Sequence, residues 1–468
     1  MSTHKPTNGG VDLHQGGKGR ATALGIIASM AGLMFGLDTG VISGALPFIA
    51  EDFNASNATQ GWIVSTMMGG AVVGSFIAGK ISLKFGRTGA MLWASILFIV
   101  GSLLCALAPN VEVMYVGRVF LGLAVGIAAF SAPLYISEIT VESSRGAMIS
   151  FYQLMVTLGI FLAFVFDGLL SAGGHWRWML GIMVVPAVIF LLAVYILPQS
   201  PRWLMIKGQR DKARNVLYML RSDDELADAE LKEIQTRLEK SHEPGFALFR
   251  HNKNFRRSVA LGLMLQIMQQ LTGINALLYY APKVFQAAHF GTHAAIWATT
   301  LVGLTNMAAT GVAIICADRW GRRPLLITSC VIAGLSLLGV AIIMGSGADS
   351  VFIESILCGL ILVFVAGFAI GAGPLVWTLC SEVQPTSGRD FGIGCSTLMN
   401  WAANMAISAI FPVVMSVIGA SWTFVVFAAC NGLFVLFTLW FVPETKGVTL
   451  ESIEANLFAG KALRKLGD

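Results

Sequence analysis

Long apolar runs separated by short polar connections organise this chain. Twelve runs recur, at roughly 22–49, 61–81, 89–108, 113–136, 150–171, 178–197, 258–288, 295–316, 324–345, 352–380, 391–417 and 422–442. A helix of about 20 apolar residues crosses a hydrocarbon core of ~30 Å at ~1.5 Å per residue. Backbone polar groups in lipid must bond within their own segment, so each run predicts a helix. The strands of a membrane barrel would be ~10 residues long and strictly alternating, and these runs are not. The pattern predicts an all-α membrane protein with twelve transmembrane helices. The first run is too long for the apolar region of a signal peptide and lacks a clear small-residue cleavage site after it, so it reads as a retained span.

One connection is long and divides the spans six and six. Residues 202–257 carry 13 Lys and Arg and nine Asp and Glu. Within them "DDELADAELKEIQTRLEKSHE" has helical spacing of apolar residues and dense charge, which predicts short amphipathic helices in a solvated linker. The expected organisation is a tail at 1–21, a six-helix half at 22–200, a linker at 201–257, a second six-helix half at 258–442 and a tail at 443–468.

Composition agrees with this picture. The chain is 56% hydrophobic and 12% charged, where a soluble domain carries about 25% charge. Its net charge of +5 comes from loop lysines and arginines and is no nucleic-acid signal. Lys80, Lys84 and Arg87 follow the second run, Arg145 the fourth, Arg319, Arg322 and Arg323 the eighth, and Arg389 the tenth. The intervening connections are poor in Lys and Arg, with His175 and Arg177 the exception. The positive-inside rule then predicts both termini in the cytoplasm. The seven cysteines form no C-x-x-C pair and read as small packing residues with free thiols. Two sequons in "NASNAT", at Asn54 and Asn57, lie in an outward connection and carry little weight as glycosylation sites.

The two halves echo each other. "KFGRTG" at 84–89 matches "RWGRRP" at 319–324, "SEITVESSRG" at 137–146 matches "SEVQPTSGRD" at 381–390, and "PQSPR" at 198–202 matches "PETKG" at 443–447. Repeated six-helix halves with a site between them near the midplane are a common carrier design.

Asp38, in "LMFGLDTGVISGAL", and Arg118 are the ionisable residues set deepest in the runs, while Asp167, Glu354 and Lys80 fall near run ends. A charge at the bilayer centre costs at least ~2.5–3.5 kcal/mol on insertion scales. The first run goes outward and the fourth inward, so Asp38 and Arg118 fall in the same outer half of the membrane and can meet. The residues alone leave two readings: a permanent salt bridge, or a proton switch in which Arg118 holds Asp38 ionised until a proton neutralises it.

The seventh run holds a second polar set: Gln266, Gln269, Gln270 and Asn275, followed by Tyr279 and Tyr280. Amides donate and accept, as recognition of several hydroxyls requires. Gly273 and Pro282 make this helix breakable, and broken helices mark carrier sites. Single amides of this kind also serve as hydrogen-bonded links between helices.

R-x-x-x-G at 118–122, "PLYISE" at 133–138, "PQSPR", "QQLTGIN" at 269–275, "DRWGRRP" at 318–324, "GPLVW" at 373–377 and "PETKG" together resemble the sugar porter family of the major facilitator superfamily. "HWRWMLG" at 175–181, "CSEVQP" at 380–385 and "RDFGIGCST" at 389–397 resemble its bacterial arabinose– and galactose–proton symporters. The likeness covers nearly the whole chain. It departs at Leu83, where an aspartate is usual, and at Gln199, where glutamate is usual; both weaken charge pairing in the first half.

The resemblance implies a twelve-helix major facilitator fold and monosaccharide uptake by proton symport through alternating access. It favours Asp38 as the proton site coupled to Arg118, since proton-coupled members carry aspartate there. It places sugar contacts at Gln153, Gln269, Gln270, Asn275, Asn306, Trp377 and Asn400, aromatic neighbours at Phe35 and Trp401, and a pocket-shaping apolar residue at Ile160. It places the outer gate at Tyr279 and Tyr280. A cytoplasmic latch would comprise Arg87, Glu138 and Arg145 in the first half and Arg319, Arg323, Glu382 and Arg389 in the second, closed when the carrier faces outward and broken by inward opening.

The expected partners are a monosaccharide, a proton and the lipid bilayer of a bacterial cytoplasmic (inner) membrane. No cofactor, metal, nucleic acid or nucleotide is expected, and a monomer suffices. The alternative within the fold is a proton-independent sugar facilitator. A sugar sensor is disfavoured by the short tail after Gly447, and an enzyme by the lack of a nucleophile–base or metal set.

Overall fold

The computed structural model describes residues 13–221, 223–239, 245–347 and 350–467, with the side chains of 13–18, 142, 143, 237–239 and 315–319 outside that description. No strand occurs among these residues, and ten helices are long and apolar enough to cross a membrane. Two of the ten are too long for one crossing: Asn57–Ala106 has 50 residues and Thr386–Phe441 has 56. Each doubles back at a glycine in the left-handed region, Gly86 at φ 84° and Gly419 at φ 83°. The reversal at Gly86 is visible in the packing, because Gly70 and Gly101 both abut the 117–122 stretch of the next helix.

Twelve spans result. Span one is Leu13–Asp52, spans two and three are 57–85 and 87–106, span four is Val111–Ile139, span five is Glu142–Leu170, and span six joins Trp176–Gly181 to Val184–Tyr195. Span seven joins Lys253–Leu271 to Ile274–Ala287, span eight is Thr292–Trp320, span nine is Arg322–Ser346, span ten joins Val351–Ile370 to Ala372–Glu382, and spans eleven and twelve are 389–418 and 420–441. Helix extends beyond the apolar runs at spans one and seven, which begin at Leu13 and Lys253 rather than near 22 and 258. Residues 13–21, expected in the tail, are therefore part of the first helix. Large apolar side chains such as Phe76, Leu169, Trp178, Tyr195 and Ile342 remain more than 60% exposed on the outside of the bundle, as lipid-facing positions do.

Span one is seated on span five by a four-residue stripe of glycines. A methyl group on Gly36 would stand 1.9 Å from the Val156 carbonyl oxygen, and Gly32, Gly40 and Gly44 abut Tyr152, Ile160 and Ala163, and Asp167 in the same way. Small residues at this spacing let two backbones approach closely. Asp167, which the apolar pattern places near a span end, is fully buried here, and its Oδ2 accepts the Gly44 N–H at 3.1 Å.

The linker folds into the helices Pro201–Ile206, Arg210–Arg221, Asp224–Glu239 and Gly245–His251. Trp203, Leu204, Ala213, Leu217, Ala227 and Leu231 form its own small core. Arg221 bonds Glu230 at 2.7 Å and the Ile139 carbonyl at 3.0 Å, fastening the linker to the end of span four. The face of the bundle that carries the linker is the linker face.

The halves meet toward the opposite face. Gly61 of span two abuts the Ala409 carbonyl of span eleven, Gly168 of span five abuts Trp297 of span eight, and Gly303 abuts Phe161 and Phe164. Hydrogen bonds between described residues of the two halves lie there too: Lys283 to Asn57 and Gln60, Ser171 with His293, and Thr300 to the Phe164 carbonyl.

Candidate functional site

Asp38 and Arg118 meet inside the first half. Arg118 Nη1 donates to Asp38 Oδ1 at 2.8 Å, and neither side chain has any exposure. Arg118 Nε donates to the Ile63 carbonyl of span two at 3.2 Å. The pair thus joins spans one, four and two. The contact is end-on, leaving Asp38 Oδ2 and Arg118 Nη2 without partners. A bidentate pair would satisfy both groups; this contact uses one oxygen of the carboxylate. A proton on Asp38 removes one charge of this buried pair and leaves Arg118 uncompensated, so it weakens the contact.

The second constellation sits at the break in span seven. Thr272 closes Lys253–Leu271, and Gly273 at φ 89° opens Ile274–Ala287; a side chain there would strike the Phe427 ring. Asn431 of span twelve takes up the freed Thr272 carbonyl at 3.2 Å. Around the break, Asn400 Nδ2 donates to Gln266 Oε1 at 2.6 Å and to Gln269 Oε1 at 2.9 Å. Gln269 Nε2 donates to the Ala372 and Gly373 carbonyls, where span ten breaks. Asn275 donates to Gln270 at 2.7 Å. Spans seven, ten and eleven therefore converge on one amide network.

Phe35 of span one and Trp401 of span eleven bring the halves together beside this network, with ring centroids 5.5 Å apart. The Trp401 indole N–H is buried without an acceptor. Trp377 follows the break at Gly371, ahead of Pro374, and is 39% exposed. Gln153 is exposed, Asn306 is buried, and neither bonds to the amide network. Ile160 is buried against the span-one glycines. Tyr279 and Tyr280 are both 1% exposed and line a cavity of about 610 Å³ on the face opposite the linker. Asn404 donates to the Tyr279 hydroxyl at 3.3 Å, and the Tyr280 hydroxyl donates to the Ser408 carbonyl at 2.8 Å. Gln266 and Asn404 belong to this polar seam as fully as the expected residues. Gln266 was visible in the amide run; Asn404 carried no signal beyond being one turn past Asn400.

A family model described as "Sugar (and other) transporter" matches residues 24–457. The chain belongs to the sugar transporter family. It is 50% identical to the galactose-proton symporter of Escherichia coli (strain K12), over 94% of this chain and 95% of that one. It is 48% identical to the arabinose-proton symporter of the same strain, over 94% of both. Among solved structures, the inward-open form of the xylose transporter XylE from E. coli matches with a TM-score of 0.81 at 28% identity, over 93% of this chain and 99% of that one. The fold is thus the twelve-helix major facilitator fold.

In this transporter the motifs on the linker face form two equivalent clusters. Arg87 bonds Glu138 at 2.8 Å, and Ser200 donates to the same carboxylate. Arg322 bonds Glu382 at 3.2 Å, and Thr445 donates to it at 2.5 Å. Each arginine follows a left-handed glycine, Gly86 or Gly321. Ser200 and Thr445 were legible in the aligned "PQSPR" and "PETKG" but were not expected at the latch.

Of the expected latch residues, Arg87, Glu138 and Glu382 are ion-paired among the described residues. The partner of Glu382 is Arg322; the Arg323 guanidinium reaches the Leu439 carbonyl instead. Arg145 is exposed and pairs with no acid among the described residues, and Arg389 reaches only the Gln384 carbonyl at 3.4 Å. The Arg319 side chain lies outside the described residues. Each pair lies within one half. The halves differ at one point: Glu444 accepts the Arg322 and Arg323 N–H groups, whereas Gln199 donates to the Phe85 carbonyl and leaves its own oxygen unpaired.

Proposed function

We propose that this chain carries a monosaccharide of the galactose or arabinose type into the cell together with a proton, by alternating access. The observation that carries the reading is the fully buried Asp38–Arg118 pair, a titratable carboxylate held against a cation inside the first half. The named relatives, both sugar–proton symporters, support the same assignment.

The halves meet on the face opposite the linker, so the structure is read as the inward-facing state, with the linker face in the cytoplasm and both termini there. The membrane is the bacterial inner membrane, and the monomer holds both halves of the site. Gln269, Asn400 and Gln266 supply the fixed polar wall for the sugar, with Gln270 and Asn275 beside it and Phe35 and Trp401 against its apolar face. Gln153, Asn306 and Trp377 approach from the rest of the bundle when the sugar is bound. Tyr279 and Tyr280 close the outer side.

Proteoliposomes with an alkaline interior test the reading. Labelled D-galactose or L-arabinose accumulates above its external concentration, and a protonophore abolishes the accumulation. Equilibration without accumulation, unaffected by the protonophore, identifies a facilitator.

A further inference from the structure

The outer contact between the halves contains a cation, Lys283, with no anionic partner among the described residues. Lys283 stands one helical turn past Tyr279, on the same face of Ile274–Ala287. Its Nζ donates to Asn57 Oδ1 at 2.6 Å and to Gln60 Oε1 at 2.9 Å. Both acceptors belong to the other half. Asn57 opens span two after the Ser56 cap, which accepts the Thr59 N–H. Asn57 and Gln60 are three residues apart on the first turn, so one face presents two amide oxygens to one ammonium. Glu51 lines the same cavity, and no ion pair joins it to Lys283 among the described residues.

The placement is electrostatically weak by construction. Span two points its N-terminus, the positive end of its dipole, at this region, and a cation there is disfavoured. Neutral amides do not offset that as a carboxylate would. An ion pair buried at this point would be hard to open; two hydrogen bonds to amides are reversible. The segment that carries Lys283 is also jointed. Tyr280 departs from helical geometry at φ −118°, ψ 18°, and Pro282 supplies no N–H to the helix.

We propose that Lys283 is the pin of the outer gate. Its ammonium, held by Asn57 and Gln60, keeps the outer ends of spans two and seven together when the carrier faces inward, and its release is a step of outward opening. The inference rests on the alternating-access reading above and adds a positioning residue to it.

The test is hydrogen–deuterium exchange of the full-length transporter in lipid nanodiscs, with transport measured on the same variants. Lys283→Met raises exchange of 57–64 and 279–287 by about tenfold, the order expected for losing charge-assisted hydrogen bonds, and leaves 210–221 unchanged. It lowers the external KM and the maximal rate together, because outward-facing protein accumulates. Asn57→Ala with Gln60→Ala reproduces this effect, and adding Lys283→Met to that pair changes nothing further. Asn57→Asp supplies an anion, slows exchange of both segments and traps the inward-facing state. That variant keeps the proposal testable if Lys283→Met fails to fold. Unchanged exchange in Lys283→Met, or additive effects in the triple variant, overturns the pin. A wild-type protein that neither transports sugar nor changes its exchange when sugar is added overturns the alternating-access reading instead.

Discussion

Arg118 holds Asp38 by one hydrogen bond of 2.8 Å and holds the Ile63 carbonyl by another, so a single guanidinium joins three spans of the first half. Protonation of Asp38 weakens the first bond and leaves the second.

Asp38→Asn keeps an oxygen that accepts from Arg118 and removes the titrating group. Sugar accumulation driven by a pH gradient falls to simple equilibration, and sugar binding persists with KM-type affinity within a few-fold. Uptake in proteoliposomes and binding by calorimetry check this. Accumulation that survives in the variant places the proton elsewhere.

The amide network makes a separate prediction. Gln269→Ala and Asn400→Ala each remove at least two hydrogen-bonding groups from one wall, and sugar affinity falls by roughly ten- to a hundredfold in each, at about 1–1.5 kcal/mol per bond. The far-ultraviolet circular dichroism stays that of a helical protein. Unchanged affinity in both variants moves the sugar away from span seven.

Packing of span one on span five is tested at Gly36. Gly36→Val places a side chain where a first carbon already lies 1.9 Å from a carbonyl oxygen, so stability falls by about 1–3 kcal/mol or folding fails. Gly79→Ala, whose added carbon meets nothing within 4 Å, leaves the thermal midpoint unchanged or slightly raised. Scanning fluorimetry in detergent distinguishes the two. Equal midpoints would show that the glycine stripe is not a close contact.

The asymmetry between Gln199 and Glu444 gives a stabilising change. Glu444 accepts two backbone N–H groups at the start of span nine, where the helix dipole favours an anion. Gln199 occupies the matching place beside Gly86 with its oxygen unpaired. Gln199→Glu raises stability by about 0.5–1 kcal/mol, seen as a higher thermal midpoint. A lower midpoint would show that the donation from Gln199 to the Phe85 carbonyl outweighs the missing anion.

The twelve spans were legible because apolar length is a direct requirement of the bilayer, and the Asp38–Arg118 contact because two deep charges faced each other across antiparallel runs. Other features depend on geometry that the apolar pattern does not encode. Asp167 lies near the end of an apolar run, yet the close seating of span one on span five buries it. Span ten breaks at Gly371, whose N–H donates to the Phe368 carbonyl before the helix restarts at Ala372, a position that the apolar run does not mark. Arg322 and Arg323 are adjacent and chemically alike; only the helix phase after Gly321 decides that Arg322 reaches Glu382. Arg145 has no such constraint and stays in solvent. The glycine stripe at residues 32, 36, 40 and 44 was present in the sequence and marks which face of span one meets another helix.

The central claim is that sugar movement carries a proton through Asp38. Its most direct test is the external pH of a lightly buffered suspension of energy-depleted cells expressing the chain, on addition of D-galactose or L-arabinose. The account predicts alkalinisation with the transported sugar, and none in cells expressing Asp38→Asn. Labelled sugar that equilibrates in wild-type cells without a pH change would contradict it and return the Asp38–Arg118 pair to a structural role.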